Sequence, residues 1–206
     1  ALTQDITVSE TLWTPIGEGE YPFCGTFLGN NHIIRGIRIK GEQDTAYQLE
    51  SGEMYFGLFG VIGAGSFVKD LGVEDVDIDV RGKGSTVAGG LAGLLDKGTV
   101  DSCYATGSVR GETTSAGNNY AGGLIGWGHN GYIVNAYADV AVYSSVLPTA
   151  LAMAGGLVGM TNRTAVVNCY ALGRVGGYTE RKTEVVESMA AVGGLVGVAG
   201  SPVVNC

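Results

Sequence analysis

Gly122-Gly123-Leu124-Ile125-Gly126, followed shortly by Val134-Asn135-Ala136-Tyr137-Ala138, is the stretch whose reading decides the fold. Its first half recurs as Phe56-Gly57-Leu58-Phe59-Gly60, Gly89-Gly90-Leu91-Ala92-Gly93, Gly155-Gly156-Leu157-Val158-Gly159 and Gly193-Gly194-Leu195-Val196-Gly197. The glycine before each leucine stands at 57, 90, 123, 156 and 194, so the steps are 33, 33, 33 and 38 residues. The second half recurs as Val68-Lys69-Asp70-Leu71, Val100-Asp101-Ser102-Cys103-Tyr104-Ala105, Val167-Asn168-Cys169-Tyr170-Ala171 and Val204-Asn205-Cys206. A fixed period of this size marks a stack of like units, each burying its apolar face against the next.

Each unit is expected to offer three short β-segments: the Gly-Gly-Leu-x-Gly stretch, the Val-x-Asn-Cys-Tyr-Ala stretch, and a brief piece such as Gly107-Ser108-Val109 or Gly173-Arg174-Val175-Gly176. Nothing shows sustained helical periodicity. The spacing therefore predicts an all-β chain, a right-handed parallel β-helix (β-solenoid) of about five coils with an N-terminal cap. Residues 1–50, which carry a different phrase, are assigned to the cap and opening coil, and 51–206 to one continuous run of repeats. Stacking gives each repeat position a column. One holds Asp70, Ser102, Asn135, Asn168 and Asn205, short polar residues suited to a corner. Another holds Tyr104, Tyr137 and Tyr170, whose rings are expected to stack. The dissimilar stretches 112–119, 142–150 and 178–188 are expected to be loops, the longest accounting for the 38-residue step.

Composition narrows the classes. Gly is 36 of 206 residues, about two and a half times ordinary usage, yet Pro is only 4 and apolar residues recur between the glycines, which argues for a packed core. The net charge of −8 and the lack of a basic stripe exclude nucleic acid as a partner. No apolar run is long enough for a transmembrane segment. Cys103, Cys169 and Cys206 share one repeat position, with Ala136 in the intervening unit. Cys103 and Cys169 fall two turns apart, about 9–10 Å, beyond disulfide reach. Cys169 and Cys206 are neighbours, and small buried thiols are the favoured reading. The chain breaks off in Pro202-Val203-Val204-Asn205-Cys206, an unfinished repeat that would expose strand edge, so either continuation into a larger protein or a cover over that end is expected.

These residues resemble the GLUG repeat of bacterial surface proteins. Trp13-Thr14-Pro15-Ile16-Gly17, together with residues 25–37, is similar to the module that commonly opens such arrays, although Leu28 and Asn31 replace its usual Asp and Gly. The resemblance covers about residues 11–206. It implies a secreted or cell-surface bacterial protein, adhesin-like, serving as a spacer or as a binding module toward a host protein or glycan. Such repeats also accompany surface metallopeptidases that cleave immunoglobulin A, but their zinc-binding His-Glu-x-x-His segment does not occur in this sequence.

Candidate chemistry centres on Glu74-Asp75-Val76-Asp77-Ile78-Asp79-Val80, where alternation places Asp75, Asp77 and Asp79 on one strand face. They are a candidate calcium site, or the acidic centre of a β-helical polysaccharide-processing enzyme; the competing reading is a solvated strand face. Ser66-Phe67-Val68-Lys69 matches a Ser-x-x-Lys pattern, which chance readily explains over four residues where no helix is expected, and Arg81-Gly82-Lys83-Gly84-Ser85-Thr86 lacks the upstream glycine of a phosphate loop. His32 and His129 are expected in turns. No catalytic residue, cofactor or ligand-binding residue is assigned, and partner contact is expected from the loops rather than from the repeated columns.

Overall fold

The glycine-rich motif turns the chain instead of running within a strand. In the computed structural model Gly90 and Leu91 form the bend between strands Thr86–Gly89 and Ala92–Asp96. The same bend joins Met54–Phe56 to Phe59–Ile62, Asn119–Gly122 to Ile125–His129, Leu151–Gly155 to Val158–Asn162, and Met189–Gly193 to Val196–Gly200. This corrects the expectation that the motif is itself a β-segment. The reason is packing: a Cβ added to Gly90 would lie 2.7 Å from the Gly123 carbonyl of the next turn and 2.9 Å from Ala105 Cβ. Only a residue without a side chain lets consecutive corners nest this closely.

The structure describes residues 1–8, 12–42, 52–114, 117–146, 150–179 and 189–206, all strand, bend or irregular, with no helix among them. Three sheets wrap around one core. The strands before the bends form one five-stranded sheet and those after them another. Every pairing is parallel and advances by whole turns: Val87 pairs with Tyr120 and Tyr120 with Met153; Leu94 pairs with Trp127 and Trp127 with Met160. Five strands in each of these two sheets, linked by long-range parallel pairing, make the chain a parallel β-solenoid. The third face is an eleven-stranded sheet in which the other two expected segments merge into long strands, such as Phe67–Gly82, Thr99–Thr113 and Tyr137–Val146. Part of the expected loop at 142–150 is therefore strand, and residues 147–149 lie outside the described residues, as do 180–188, which carry the insertion expected in the last step.

The core follows the columns. Leu58, Leu91, Leu124 and Leu157 are fully buried, and Ile78, Val109 and Val142 point in from the long face. Burying each leucine contributes about 1.5–3 kcal/mol. On the opposite side of the short strands a second apolar cluster gathers Val87, Tyr120 and Met153 against Leu94, Trp127 and Met160. Tyr120 and Trp127 stack there, 5.4 Å apart.

Asp70, Ser102, Asn135, Asn168 and Asn205 all have φ between 51° and 54°. The corner column is thus a left-handed turn repeated once per coil, which explains its composition, because Asn and Asp enter that region more readily than other side-chain-bearing residues. At the start of the chain, Trp13 Nε1 and the Ile16 amide both donate to the Leu58 carbonyl at 3.0 Å. Phe23 and Phe27 pack on Phe59 with ring centroids 5.1 and 5.6 Å away. Ile6–Thr7, Thr26–Arg35 and Arg38–Glu42 extend the long sheet by parallel pairing.

Candidate functional site

The long face is the broadest regular surface of the molecule, and alternation decides what it displays. In Phe67–Gly82, Val76, Ile78 and Val80 are buried while Asp77 and Asp79 face outward. Asp75 does not continue their row. The register shifts between Val73, which pairs with Ala105, and Val76, which pairs with Gly107. Asp75 occupies that bulge with φ 54°, and its amide donates to Thr106 Oγ1 at 3.2 Å. Asp77 is held by Lys40 at 2.7 Å, and Asp79 lies 3.9 Å from Arg110 Nε. Among the described residues no three His, Cys, Asp or Glu side chains are grouped to hold a metal ion.

The tyrosine column stacks as expected. Tyr104 and Tyr137 lie 4.8 Å apart and 3° from parallel, Tyr137 and Tyr170 5.0 Å and 1°. The column ends on a charge network: the Tyr104 hydroxyl donates to Glu74 Oε1 at 2.7 Å, and Arg35 Nε donates to Glu74 Oε2 at 2.8 Å. The Tyr104 hydrogen bond, with Arg35 behind it, holds the Glu74 carboxyl below the usual glutamate range. Burial, and then the bond to Glu74, pushes the Tyr104 phenol well above the usual tyrosine range. Asp5 is also held low, first by the Ile33 amide and also by His32 and Arg35.

The histidines are not backbone-bonded turn residues. His32 lies within strand Thr26–Arg35 with Nδ1 3.2 Å from Asp5, and His129 ends strand Ile125–His129 with Nδ1 2.8 Å from Asp96 one turn earlier. All four cysteines are free, with Cys103 and Cys169 buried and Cys24 and Cys206 exposed. The Cys169 amide donates to Cys206 Sγ at 3.3 Å, so these neighbours meet through the backbone. Ser66 is buried and its hydroxyl donates to the Gly63 carbonyl, leaving it no nucleophilic role.

An open groove of about 450 Å³ crosses four turns of the long face. Asp77, Ser108, Ala141 and Arg174 line it in one row, and Asp79, Arg110, Tyr143 and Gly176 in the next. Arg110 Cζ sits 5.0 Å above the Tyr143 ring. In the sequence Ser108 and Arg174 stand out only within short β-segments, Tyr143 falls in the 142–150 stretch expected to be a partner-contacting loop, and Arg110 carries no signal of its own. The signal was the exact 33-residue register, which sets 110, 143 and 176 in one column although their residues are unlike.

The family model of the GLUG motif matches residues 84–110. Those residues run from Gly84 through the Gly90-Leu91 bend and on to Arg110 on the long face, which is nearly one complete coil. The chain is a parallel β-solenoid bearing a GLUG motif. In fold it is similar to the crystal structure of a putative immunoglobulin A1 protease from Bacteroides ovatus, with a TM-score of 0.53 and 17% sequence identity over 98% of this chain and 69% of that one. No curated protein matches the chain.

Proposed function

We propose that this chain is a non-catalytic, adhesin-like binding or spacer module of a bacterial surface or secreted protein, directed at a host protein or glycan. The observation that carries the reading is where its conspicuous side chains are spent. Asparagine, tyrosine and cysteine columns bond or stack onto the next turn, and the outward aspartates of the long strand sit beside cations. A general acid or base needs a carboxyl free to exchange a proton with substrate; Asp77 is instead engaged in an ion pair with Lys40 at 2.7 Å. What remains on display is a rigid face with a groove, the usual form of a recognition surface on a repeat scaffold.

The likeness to the Bacteroides ovatus protein favours a second reading, in which the same module is an accessory part of a larger surface protease. In that case the solenoid spaces or docks while chemistry resides elsewhere. Screening the purified chain on glycan and host-matrix arrays, alongside assays for shortened polysaccharide and for cleaved immunoglobulin A, tests both readings. Binding without turnover is the expected result. Turnover abolished by Asp77→Asn would overturn the non-catalytic assignment.

A further inference from the structure

We infer that the groove over Ser108, Ala141 and Gly176 binds a glycan chain carrying carboxylate groups, of the uronic-acid type. Arg174 and Arg110 take the carboxylates, and Tyr143 takes the face of a sugar ring. The inference deepens the binding-module reading and rests on it.

Shape comes first. The groove spans four parallel strands, so it is about 14 Å long at the usual interstrand spacing. Its volume of about 450 Å³ lies within the range of ligand sites. Its floor consists of small residues, which suits a chain lying along the solenoid better than a compact metabolite. The groove lies on the face of the sheet, where the backbone groups of its first three strands are consumed by parallel ladders on both sides and Val175–Thr179 is paired on one side. Among the described residues the one strand side open to an extended peptide there is the outer side of Val175–Thr179, at the end of the groove, so a peptide lying along the floor would cross paired strands. A glycan, recognised through side chains, needs no strand edge.

Charge comes second. Asp77 is neutralised by Lys40 at 2.7 Å, whereas Arg110 reaches Asp79 only at 3.9 Å. Arg174 is exposed and forms no ion pair among the described residues. Within the lining Arg110 and Arg174 match Asp77 and Asp79 in number, and Lys40, which pairs with Asp77 from outside it, leaves Arg174 without a carboxylate partner, in a chain whose net charge is −8. A guanidinium offers paired donors that match a carboxylate in two-point geometry. This single unpaired cation is far too little for a phosphate backbone, which needs a continuous basic track.

The aromatic platform is third. Arg110 covers one side of Tyr143. On the other side the next turn carries Gly176, where a Cβ would already stand 3.2 Å from Tyr143 Cδ2. The missing side chain leaves that ring face uncovered by its column. Tyrosine presents an apolar face with a polar rim, which suits a sugar ring bearing both kinds of surface.

The test is calorimetric titration of the full chain with hexagalacturonate, its methyl-esterified form, a hyaluronan hexasaccharide and a neutral galactan hexasaccharide. One or both acidic probes are expected to bind, and which one binds distinguishes a plant-type from a host-type source. Esterification, Arg174→Gln and Tyr143→Ala should each weaken binding about 10- to 100-fold, and Arg174→Lys should restore part of it. Both variants alter side chains outside the core, and an unchanged melting temperature confirms that they fold. Failure of both acidic probes to bind overturns the inference, as does binding that both variants leave unchanged. Equal binding of the neutral hexasaccharide overturns the acidic ligand but leaves the binding module standing. Shortened products would overturn the non-catalytic reading instead.

Discussion

Asn168 donates from Nδ2 to Oδ1 of Asn135, one turn back along the stack, at 3.2 Å. Asn135 in turn donates to Asp101 Oδ1 at 3.0 Å, and both asparagines hold φ near 54°. One side chain thus serves two needs: it tolerates the left-handed corner and ties successive corners together. Replacing it separates them. Asn135→Gly keeps the turn but loses the ladder and should cost about 1–2 kcal/mol. Asn135→Val loses both and should cost about 2–4 kcal/mol, since a β-branched residue is strained at this φ. Urea unfolding of the two variants measures the difference; equal losses would remove the backbone from the explanation.

Gly123 and Gly194 hold the same motif position and meet opposite surroundings. A Cβ on Gly123 would strike the Gly156 carbonyl and lie 2.8 Å from Ala138 Cβ, whereas one on Gly194 meets nothing within 4 Å. Gly123→Ala should therefore destabilise by about 1–3 kcal/mol. Gly194→Ala should fall between neutral and about 1 kcal/mol stabilising, because alanine narrows the unfolded ensemble. Matched chemical denaturation of the pair checks this. A similar cost at both positions would show that the motif glycines serve local geometry rather than nesting between turns.

How far the sequence could be read depends on which residues repeat. Leu91, Leu124 and Leu157 recur in phase, so the solenoid and its buried leucine column were legible, and the coplanar tyrosines followed from the same phase. The corner was not legible, because a five-residue motif with three glycines has too few side chains to reveal whether it alternates. Asp75 misled for another reason. Alternation continues through it on paper, but Val73 pairs 32 residues ahead and Val76 only 31, so the first unit carries one residue more, and Asp75 is spent in the bulge. The groove stayed hidden because Arg110, Tyr143 and Gly176 share a column but no chemistry, and a search for repeated residues passes over such a column.

Glu74 links the tyrosine stack to Arg35 and should give the fold a measurable acid limb. Its pKa is lower in the fold than in the unfolded chain, so it contributes stability above the ordinary glutamate range, about pH 4.3. That contribution is lost as pH falls through the lower, folded value. Wild-type melting temperature should therefore drop as pH is taken from 6 to below 4, and Glu74→Gln should flatten the drop while lowering stability at pH 7. An unchanged profile in the variant would place the acid sensitivity elsewhere. At the alkaline end the sign reverses. The raised Tyr104 phenol stays neutral in the fold while the unfolded chain ionises near pH 10, so stability should decline above that pH, and less so in Tyr104→Phe.

The cysteines provide a probe of the stack that is independent of any ligand. Burial pushes the Cys103 thiol up to about 12 and the Cys169 thiol up to about 11. The thiolate is the reactive form, so both thiols are held in their unreactive form at pH 8, and neither is reached from solvent. Cys24 and Cys206 are exposed. A brief iodoacetamide pulse on the native chain, mapped by mass spectrometry, should label Cys24 and Cys206 and spare the other two, with all four labelled in guanidinium. Because the Cys169 amide donates to Cys206 Sγ, alkylating Cys206 should loosen the last turn first. Cys169 should then become reactive before Cys103, which lies two turns deeper between fully paired strands. Simultaneous exposure of Cys103 and Cys169 would mean that the coils open as one unit rather than from the end, contrary to the nearest-neighbour coupling expected of a stack.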